Sequence, residues 1–282
     1  MASRWRSIPK IDVHAHVVLH ERENTDLVLN RPEQMLELMG EHNVELAVVL
    51  PINFPQYFPL QQTEEDDWLR ANNEIQSQLM AESGGRFISF ADCRVDGRYE
   101  NPEHVREDLS YAAESLGLRG LKVHPYNLKV PATDSRLQPW YQAACELGLP
   151  ITVHSNPTGF DPTFNGSAPC MIYQGLHAID ENVTVAHLGG ISFLETIVGF
   201  GYVDVSYTLL MLADLYGIPF CERLLRQIGI DRVLFGTDIP ICAYSDYEHI
   251  FDKMAFTQNE LERIAFVNAN RMLAGRPPLE ST

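Results

Sequence analysis

The sequence predicts an α/β protein built as a single (β/α)8 TIM barrel, and two observations lead to that prediction. Short apolar runs rich in β-branched residues alternate with longer amphipathic stretches along all 282 residues. Such alternation is typical of parallel strands joined by helical crossovers. Eight runs of this kind favour a closed barrel, and no glycine-rich phosphate loop follows the first run, which counts against a dinucleotide-binding sheet.

The apolar runs and the amphipathic stretches give the bounds of the predicted elements. The predicted strands are 8–17, 44–53, 87–95, 118–125, 150–155, 182–188, 202–207 and 233–240, and the clearest predicted helices are 32–43, 65–83, 102–116 and 137–147. No shift in composition marks a linker, so we expect one domain over residues 1–282.

Two connections and the carboxyl-terminal segment have features of their own. Residues 54–67 and 156–168 are long for barrel loops and follow the carboxyl ends of strands, where barrel active sites lie, so we expect them to be binding loops. Thr257 and Glu260 form a capping-box pattern that opens a final helix, and Gly275 ends that helix.

Composition and charge narrow the class of protein. The chain is 45% hydrophobic and carries 21 Lys and Arg against 38 Asp and Glu, a net charge of −17. A surface this acidic repels nucleic acids and anionic membranes, so we expect a small-molecule substrate as the partner and leave a homo-oligomer open. Five scattered cysteines and the lack of a membrane-length apolar run or a signal peptide predict a cytoplasmic protein.

Polar residues at predicted strand ends carry the chemistry. Side chains alternate along a strand, so His14 and His16 in IDVHAHV share a face and can chelate one metal ion. His154, His187 and Asp238 end other predicted strands. Three histidines and a carboxylate suit a zinc site that keeps a position for water. The alternative is that these are core histidines bonded to backbone carbonyls.

The motifs HAH, GLKVHP, VHS, AHLGG and LFGTD occur in that order, and this set resembles the amidohydrolase superfamily. The resemblance is to the subgroup called amidohydrolase-related, or amidohydrolase 2, and extends from Ile11 to the terminal NANRML segment. That family has a metal-dependent TIM barrel. It contains hydrolases and non-oxidative decarboxylases such as aminocarboxymuconate semialdehyde decarboxylase and resorcylate decarboxylases.

The resemblance implies roles for individual residues. His14 and His16 correspond to the metal ligands of strand 1, His154 to that of strand 5 and Asp238 to that of strand 8. His187, at the strand 6 position, corresponds to a further ligand in some members and to a catalytic base in others.

Lys122 leaves the number of metal ions open. Binuclear amidohydrolases bridge two metals with a carboxylated lysine on strand 4. Lys122 and His124 share a face of that strand, so either can reach the barrel mouth. The alternative is that Lys122 binds a substrate anion or a barrel carboxylate. We favour one divalent ion, zinc in the first place and manganese as the alternative.

A second set of residues is predicted to contact the substrate. Cationic groups at the mouth of an acidic protein indicate an anionic ligand, so a carboxylate-bearing substrate is expected. Gly236 shares a face with Asp238 and is predicted to leave room beside the metal. The predicted substrate-binding residues are Lys122, His124, Arg94, Tyr126 and Asn156.

The leading functional hypothesis is a metal-dependent hydrolase of small amides, lactones or esters. A divalent ion would lower the pKa of water, and Asp238 would accept the proton and pass it to the leaving group, with His187 as the second catalytic candidate. The alternative is a non-oxidative decarboxylase of an aromatic or unsaturated acid that uses the same site. A non-catalytic barrel would lack ligands, and none is missing from the sequence.

Overall fold

The computed structural model describes residues 3–18, 30–51, 68–155, 165–179, 182–191, 199–276 and 278. The predicted loop 54–67 and most of the predicted loop 156–168 lie outside these ranges, as does Asn156. No helix in the described ranges combines the length and apolar character that crossing a membrane requires.

Eight parallel strands, paired in chain order, form the centre of the described structure. The pairings define one sheet of β1 to β3 and one of β4 to β8. The strands are β1 (Lys10–Ala15), β2 (Val44–Val49), β3 (Phe87–Ser89), β4 (Leu121–Val123), β5 (Ile151–Val153), β6 (Val183–Val185), β7 (Tyr202–Asp204) and β8 (Val233–Leu234).

Backbone hydrogen bonds join the two sheets at both of their edges. Between β3 and β4, the amide of Ala91 donates to the carbonyl of Gly120 at 2.8 Å, and the amide of Lys122 donates back to Ala91 at 2.8 Å. Between β8 and β1, the amide of Val13 donates to Phe235 at 2.9 Å. These bonds close the strands into a ring, and the predicted (β/α)8 barrel is confirmed.

The strands are shorter than predicted because their carboxyl ends leave the ladder to build loops. Residues 233–240 were expected to form one strand, but β8 ends at Leu234. Beyond it, the amide of Thr237 donates to the side chain of Asp12 on β1 at 3.1 Å instead of to a backbone carbonyl of that strand. Asp238 then takes a left-handed conformation, with φ of 64°. Side-chain acceptors therefore replace backbone carbonyls for the amides of Thr237 and Ile239, whereas Asp238 keeps a backbone partner.

Helices follow the strands and pack around the ring. In the described residues they are α1 (Arg4–Ser7), α2 (Pro32–Glu41), α3 (Trp68–Glu82), α4 (Pro102–Ser110), α5 (Pro125–Leu128), α6 (Gln138–Glu146), α7 (Pro169–Leu176), α8 (Thr208–Tyr216), α9 (Ile218–Ile228), α10 (Tyr244–Lys253), α11 (Gln258–Glu262) and α12 (Asn268–Leu273). The four predicted helices match α2, α3, α4 and α6 to within a few residues, except that a π-helical turn, Tyr111–Ser115, continues α4.

The carboxyl-terminal helices support the end of β8. The capping box is confirmed, because the amide of Glu260 donates to the Thr257 hydroxyl at 3.2 Å and the Glu260 carboxylate accepts from the Thr257 amide at 2.7 Å. A π-helical turn, Arg263–Val267, joins α11 to α12. Within this turn the carbonyl of Ile264 accepts from the amide of Phe235 at 3.0 Å. The final helical segment therefore fixes the strand that leads to Asp238.

Candidate metal and active site

The closure of the barrel brings His14, His16 and Asp238 together. The amide of Asp238 donates to the carbonyl of His14 at 2.8 Å, and the amide of His16 donates to the carbonyl of Ile239 at 3.0 Å. These two bonds set the end of β1 beside the segment that follows β8. His14 is 1% exposed and Asp238 is buried, whereas His16 is partly exposed toward the mouth.

Three metal-ligating atoms converge at this point. Nε2 of His16 lies 3.0 Å from Oδ1 of Asp238, and Nε2 of His14 lies 3.5 Å from the same oxygen. Tetrahedral ligands at about 2.0–2.1 Å from zinc are separated from one another by roughly 3.3 Å. The spacing of these atoms therefore fits ligands of a common ion.

Hydrogen bonds on the far side of each ring fix which nitrogen faces the centre. Nδ1 of His16 lies 3.0 Å from the carbonyl of Leu50, which can only accept, so Nδ1 carries the proton. Nδ1 of His14 lies 2.9 Å from Oδ2 of Asp204. Burial and the nearby Lys122 lower the pKa of His14 to about 4, which leaves its ring neutral. With a neutral His14 ring, the Nε2 lone pair of His14 faces the carboxylate oxygen of Asp238 without a hydrogen between them, and a cation would resolve that contact.

Asp204 belongs to a second group of potential ligands with His14 and His187. Its Oδ2 already accepts from Nδ1 of His14, and its Oδ1 accepts from the amides of His187 at 3.0 Å and Ser206 at 3.1 Å. Burial alone would raise the pKa of Asp204, but the interactions with His14, with His187 and with the Ser206 hydroxyl outweigh burial, so the pKa is lowered and the group is a carboxylate. Asp204 therefore orients a ligand from behind, as carboxylates commonly do for metal-bound histidines.

His154 and His187 face each other at the ends of β5 and β6. Nδ1 of His154 lies 3.1 Å from Nε2 of His187, and the His154 ring stacks on His124 with ring centroids 3.8 Å apart. Burial lowers the pKa of all three imidazoles. Neutral rings have nitrogen lone pairs, and these contacts bring His154 and His187 together beside His14, whose ring centroid lies 4.7 Å from that of His187.

The backbone around His187 is strained. Residues 187–190 all have left-handed dihedral angles, and two of the four, His187 (φ 57°) and Leu188 (φ 50°), are not glycine. Side chains with a Cβ are disfavoured in this region, and such strain is concentrated at functional sites. In this turn the His187 amide donates a hydrogen bond to Asp204, and the His187 ring faces His154.

Lys122 is a buried cation that has no hydrogen-bond partner among the described residues. It is 2% exposed, and its Nζ has no acceptor within the described ranges. Burial lowers the pKa of Lys122 to about 8, although Asp204 and Asp238 act in the opposite direction. A buried ammonium without an acceptor is costly to the fold, and an anion bound beside it would offset that cost.

The other residues predicted to bind the substrate lie in different surroundings. Arg94 forms a bidentate ion pair with Asp96, with both N–O distances at 2.8 Å, and lies over the ring of Trp68. Tyr126 lies in the short helix α5, where the ammonium of Lys129 is 3.9 Å from its ring centroid. His124 caps that helix, with its Nδ1 accepting from the amide of Asn127 at 3.3 Å.

The prediction that Gly236 leaves room beside the metal is wrong. A Cβ built at this position would lie 3.0 Å from Cβ of His14 and 3.2 Å from Cβ of Asp204. Both contacts are tighter than ordinary van der Waals packing. Gly236 therefore lets β8 pack directly against the residues that hold His14, and the space beside it is filled by protein.

Two buried aspartates at this site were not predicted from the sequence. Asp204 is the last residue of β7. Asp12 lies on β1, two residues before His14. Asp12 accepts from the amide of His14 at 3.0 Å and from the hydroxyl of Thr237 at 2.6 Å, so it ties β1 to the β8 segment. Burial raises its pKa to about 7. The available signal was a charged residue within an otherwise apolar strand.

The fold and the site define a TIM barrel with a histidine and aspartate centre at the carboxyl ends of its strands. A family model described as Amidohydrolase matches residues 11–274. This chain belongs to that family, the amidohydrolase 2 group, and the resemblance of its motifs is confirmed. No curated protein matches it.

Solved structures share the fold at low sequence identity. 2,6-Dihydroxybenzoate decarboxylase from Rhizobium superposes with a TM-score of 0.70 at 16% identity, covering 94% of this chain and 98% of its own. A probable 2-pyrone-4,6-dicarboxylic acid hydrolase from Acinetobacter baumannii, with citric acid bound, gives 0.66 at 16%, covering 94% and 99%. 5-Carboxyvanillate decarboxylase from Novosphingobium aromaticivorans, with manganese and a nitrobenzoic acid bound, gives 0.69 at 13%, covering 95% and 96%.

Proposed function

We propose that this protein is a metal-dependent hydrolase of small lactones, amides or esters that carry a carboxylate. One observation carries the proposal: Nε2 of His14 and Nε2 of His16 converge on Oδ1 of Asp238, within electrostatic reach of the buried Lys122 ammonium. This arrangement combines a site for a cation with a site for an anion.

The residues present fit one divalent ion, zinc in the first place and manganese as the alternative. His14, His16 and Asp238 would hold it, and His154 and His187 would complete the ligand set. When bound, such an ion supplies Lewis-acid chemistry, because it lowers the pKa of water and polarises a carbonyl. Manganese in the 5-carboxyvanillate decarboxylase structure supports the alternative of the two metals.

Asp238 is the residue proposed to move the proton. Burial would raise the pKa of Asp238, but the hydrogen bond from His16 and the charge interactions with His14 and His187 lower it below its ordinary value. The side chain is therefore a carboxylate that can accept a proton from water and pass it to the leaving group. His187 is the second candidate for this role, since burial keeps its ring neutral.

Lys122 is proposed to bind the carboxylate of the substrate. Its ammonium has no acceptor in the described residues, and a carboxylate would supply one. The named substrate and the bound citric acid of the Acinetobacter hydrolase structure are both carboxylic acids, which supports this choice. Arg94, Tyr126, His124 and Asn156 stay proposed as further substrate contacts.

The second candidate is a non-oxidative decarboxylase, and the names of two structural neighbours favour it. That reaction needs an acid to protonate the carbon that loses carbon dioxide. The pKa shifts of Asp238 and His187 are both downward, so both groups favour the proton-accepting form. Proton acceptors suit water activation better than carbon protonation, so hydrolysis is the first choice.

The product distinguishes the two reactions. Metal-loaded protein would be incubated in ¹⁸O-labelled water with carboxylated lactones, amides, esters and hydroxybenzoic acids, and the products analysed by mass spectrometry. The hydrolase predicts incorporation of one labelled oxygen, which the Asp238→Asn variant should lose. Carbon dioxide release without labelled oxygen would overturn hydrolysis in favour of decarboxylation. Turnover of no substrate class by protein with full metal occupancy would count against both.

A further inference from the structure

Asp204 and Ser206, at the end of β7, connect two of the site histidines. Oδ2 of Asp204 accepts from Nδ1 of His14 at 2.9 Å. Oδ1 of Asp204 accepts the hydroxyl proton of Ser206, whose oxygen lies 2.8 Å from Nδ1 of His187. Asp204 and Ser206 have no exposed surface, so water does not compete for these bonds.

When the rings of His14 and His187 are neutral, the hydrogen atoms of this network can be placed in only one consistent way. A carboxylate can only accept, so the single hydroxyl proton of Ser206 points to Asp204. The Ser206 oxygen must then accept at its other side, which requires a proton on Nδ1 of His187. Nδ1 of His14 carries a proton for the same reason, since it faces Oδ2 of Asp204. Both rings therefore have bare Nε2 atoms.

We propose that Asp204 is a positioning residue that sets the tautomer of both His14 and His187, directly for the first and through Ser206 for the second. One carboxylate thereby fixes a metal ligand and a candidate catalytic base in the same state. Both Nε2 lone pairs then point away from β7, toward Asp238 for His14 and toward His154 for His187. The inference about tautomers stands on these contacts, and its consequence for metal affinity rests on the proposed function.

The two residues of this network should have separable effects. Loss of the carboxylate removes the acceptor for His14 and weakens the orientation of Ser206, so both histidines lose their fixed tautomer. Loss of the Ser206 hydroxyl removes only the acceptor for His187. Partners behind metal-bound histidines typically contribute about 10–100-fold to metal affinity. Asp204→Asn should therefore weaken zinc binding by about that factor, and Ser206→Ala by less.

The test combines histidine NMR with zinc binding. Metal-free protein labelled with ¹⁵N-histidine reports the tautomer of each ring, and competition with a chromophoric chelator reports zinc affinity. We expect protons on Nδ1 of His14 and His187 in the wild type. Ser206→Ala should change the tautomer signal of His187 alone, whereas Asp204→Asn should change both. Melting temperatures of the metal-free variants report folding separately.

Asp108→Asn provides a matched control. Asp108 is also a buried carboxylate, but it lies on α4 and accepts from Arg70 and from the hydroxyl of Tyr99 at 2.7 Å. This variant should melt lower while its histidine tautomers and zinc affinity stay as in the wild type. A proton on Nε2 of His187 in the wild type would overturn the inference.

Unchanged tautomers and zinc affinity in Asp204→Asn would overturn the inference as well. If Asp204→Asn does not fold, the inference is tested by the tautomers of the wild type and by the selective effect of Ser206→Ala on His187. Wild-type protein with the expected tautomers but no zinc binding would support the inference and overturn the proposed function.

Discussion

Nε2 of His16 lies 3.0 Å from Oδ1 of Asp238, although the two residues come from the first and last strands of the barrel. The contact exists because β1 and the β8 segment are joined by backbone hydrogen bonds between His14 and Asp238 and between His16 and Ile239. The proposed ligands therefore meet only in the closed barrel. Metal binding and folding should be thermodynamically linked for this reason.

The first prediction concerns that linkage. Chelator-treated protein should take up one zinc ion per chain and melt at a higher temperature when zinc is added. A ligand at about 100 times its Kd stabilises the folded state by roughly 2.7 kcal/mol. Calorimetry and elemental analysis would measure both effects.

Two histidine variants provide the comparison for that measurement. His16→Ala should lose most of the thermal shift, whereas His249→Ala, which removes an exposed histidine that contacts Lys253, should keep it. Two ions per chain with a carboxylated Lys122 would contradict the single-ion site. An equal loss of the shift in both variants would show that zinc binds elsewhere.

The second prediction concerns Asp238. Asparagine keeps the shape and one oxygen of the side chain but cannot accept a proton from water. Asp238→Asn should lower kcat by roughly 10²-fold or more, the usual scale for losing a general base. Zinc affinity should fall less than in His14→Ala, which removes a ring nitrogen from the centre. Steady-state kinetics with zinc-saturated protein would check this.

A particular outcome for Asp238→Asn would reassign the proton transfer. Activity above about a tenth of wild type, with metal retained, would leave Asp238 as a ligand only. His187 would then be the remaining base among the residues proposed here. The pH dependence of kcat/KM in the His187→Gln variant would provide the independent measurement.

The third prediction concerns Gly236. Because a Cβ there would press on Cβ of His14 and Cβ of Asp204, Gly236→Ala must displace one strand end. Overpacking of this kind costs about 1–3 kcal/mol of stability. We expect a lower melting temperature and weaker zinc binding in the same variant.

Gly40 offers a matched glycine. It lies in α2, and a Cβ added there has no atom within 4 Å. Gly40→Ala should raise the free energy of unfolding by roughly 0.5–1 kcal/mol, since alanine favours a helix more than glycine does. Zinc affinity should not change. If Gly236→Ala bound zinc as tightly as Gly40→Ala, the tight packing around His14 would have no functional consequence.

The fourth prediction concerns Lys122. Burial lowers its pKa from 10.5 to about 8 in the folded protein, so the folded state holds this proton less tightly than the unfolded state. Below pH 8 the buried ammonium therefore lowers the free energy of unfolding by its full amount, roughly 3 kcal/mol at most. This penalty disappears as the pH rises from 8 toward 10.5. Metal-free Lys122→Met should melt higher than the wild type at pH 7, with a smaller gain at pH 9.

The same variant should have the opposite effect on binding. Lys122→Met should raise KM for a carboxylate substrate far more than for its amide analogue, because the amide carries no charge for the ammonium to bind. Arg94→Met should raise KM for the carboxylate substrate in the same direction but by less, since Arg94 is already paired with Asp96. Equal effects of Lys122→Met on the two substrates would remove Lys122 from the carboxylate site.

The sequence predicted the barrel and the convergence of its polar residues. Alternation of side chains along a strand, and the order of parallel strands, place His14, His16, His154, His187 and Asp238 at one rim for any barrel of this order. Side-chain alternation and strand order can both be read from the positions of residues along the chain. They need no knowledge of rotamers, which is why the sequence was sufficient for them.

Tertiary structure alone decided how these residues are held. Asp204 orients His14 from 190 positions away, and only packing brings the two together. Lys122 lies on β4 and Arg94 follows β3, yet within the described residues Lys122 is buried without an acceptor, whereas Arg94 is paired with Asp96. Gly236 leaves no room for substrate, because side chains of the neighbouring strands β1 and β7 occupy the space beside it. Each of these facts depends on distances between side chains of different strands, and strand order does not specify those distances.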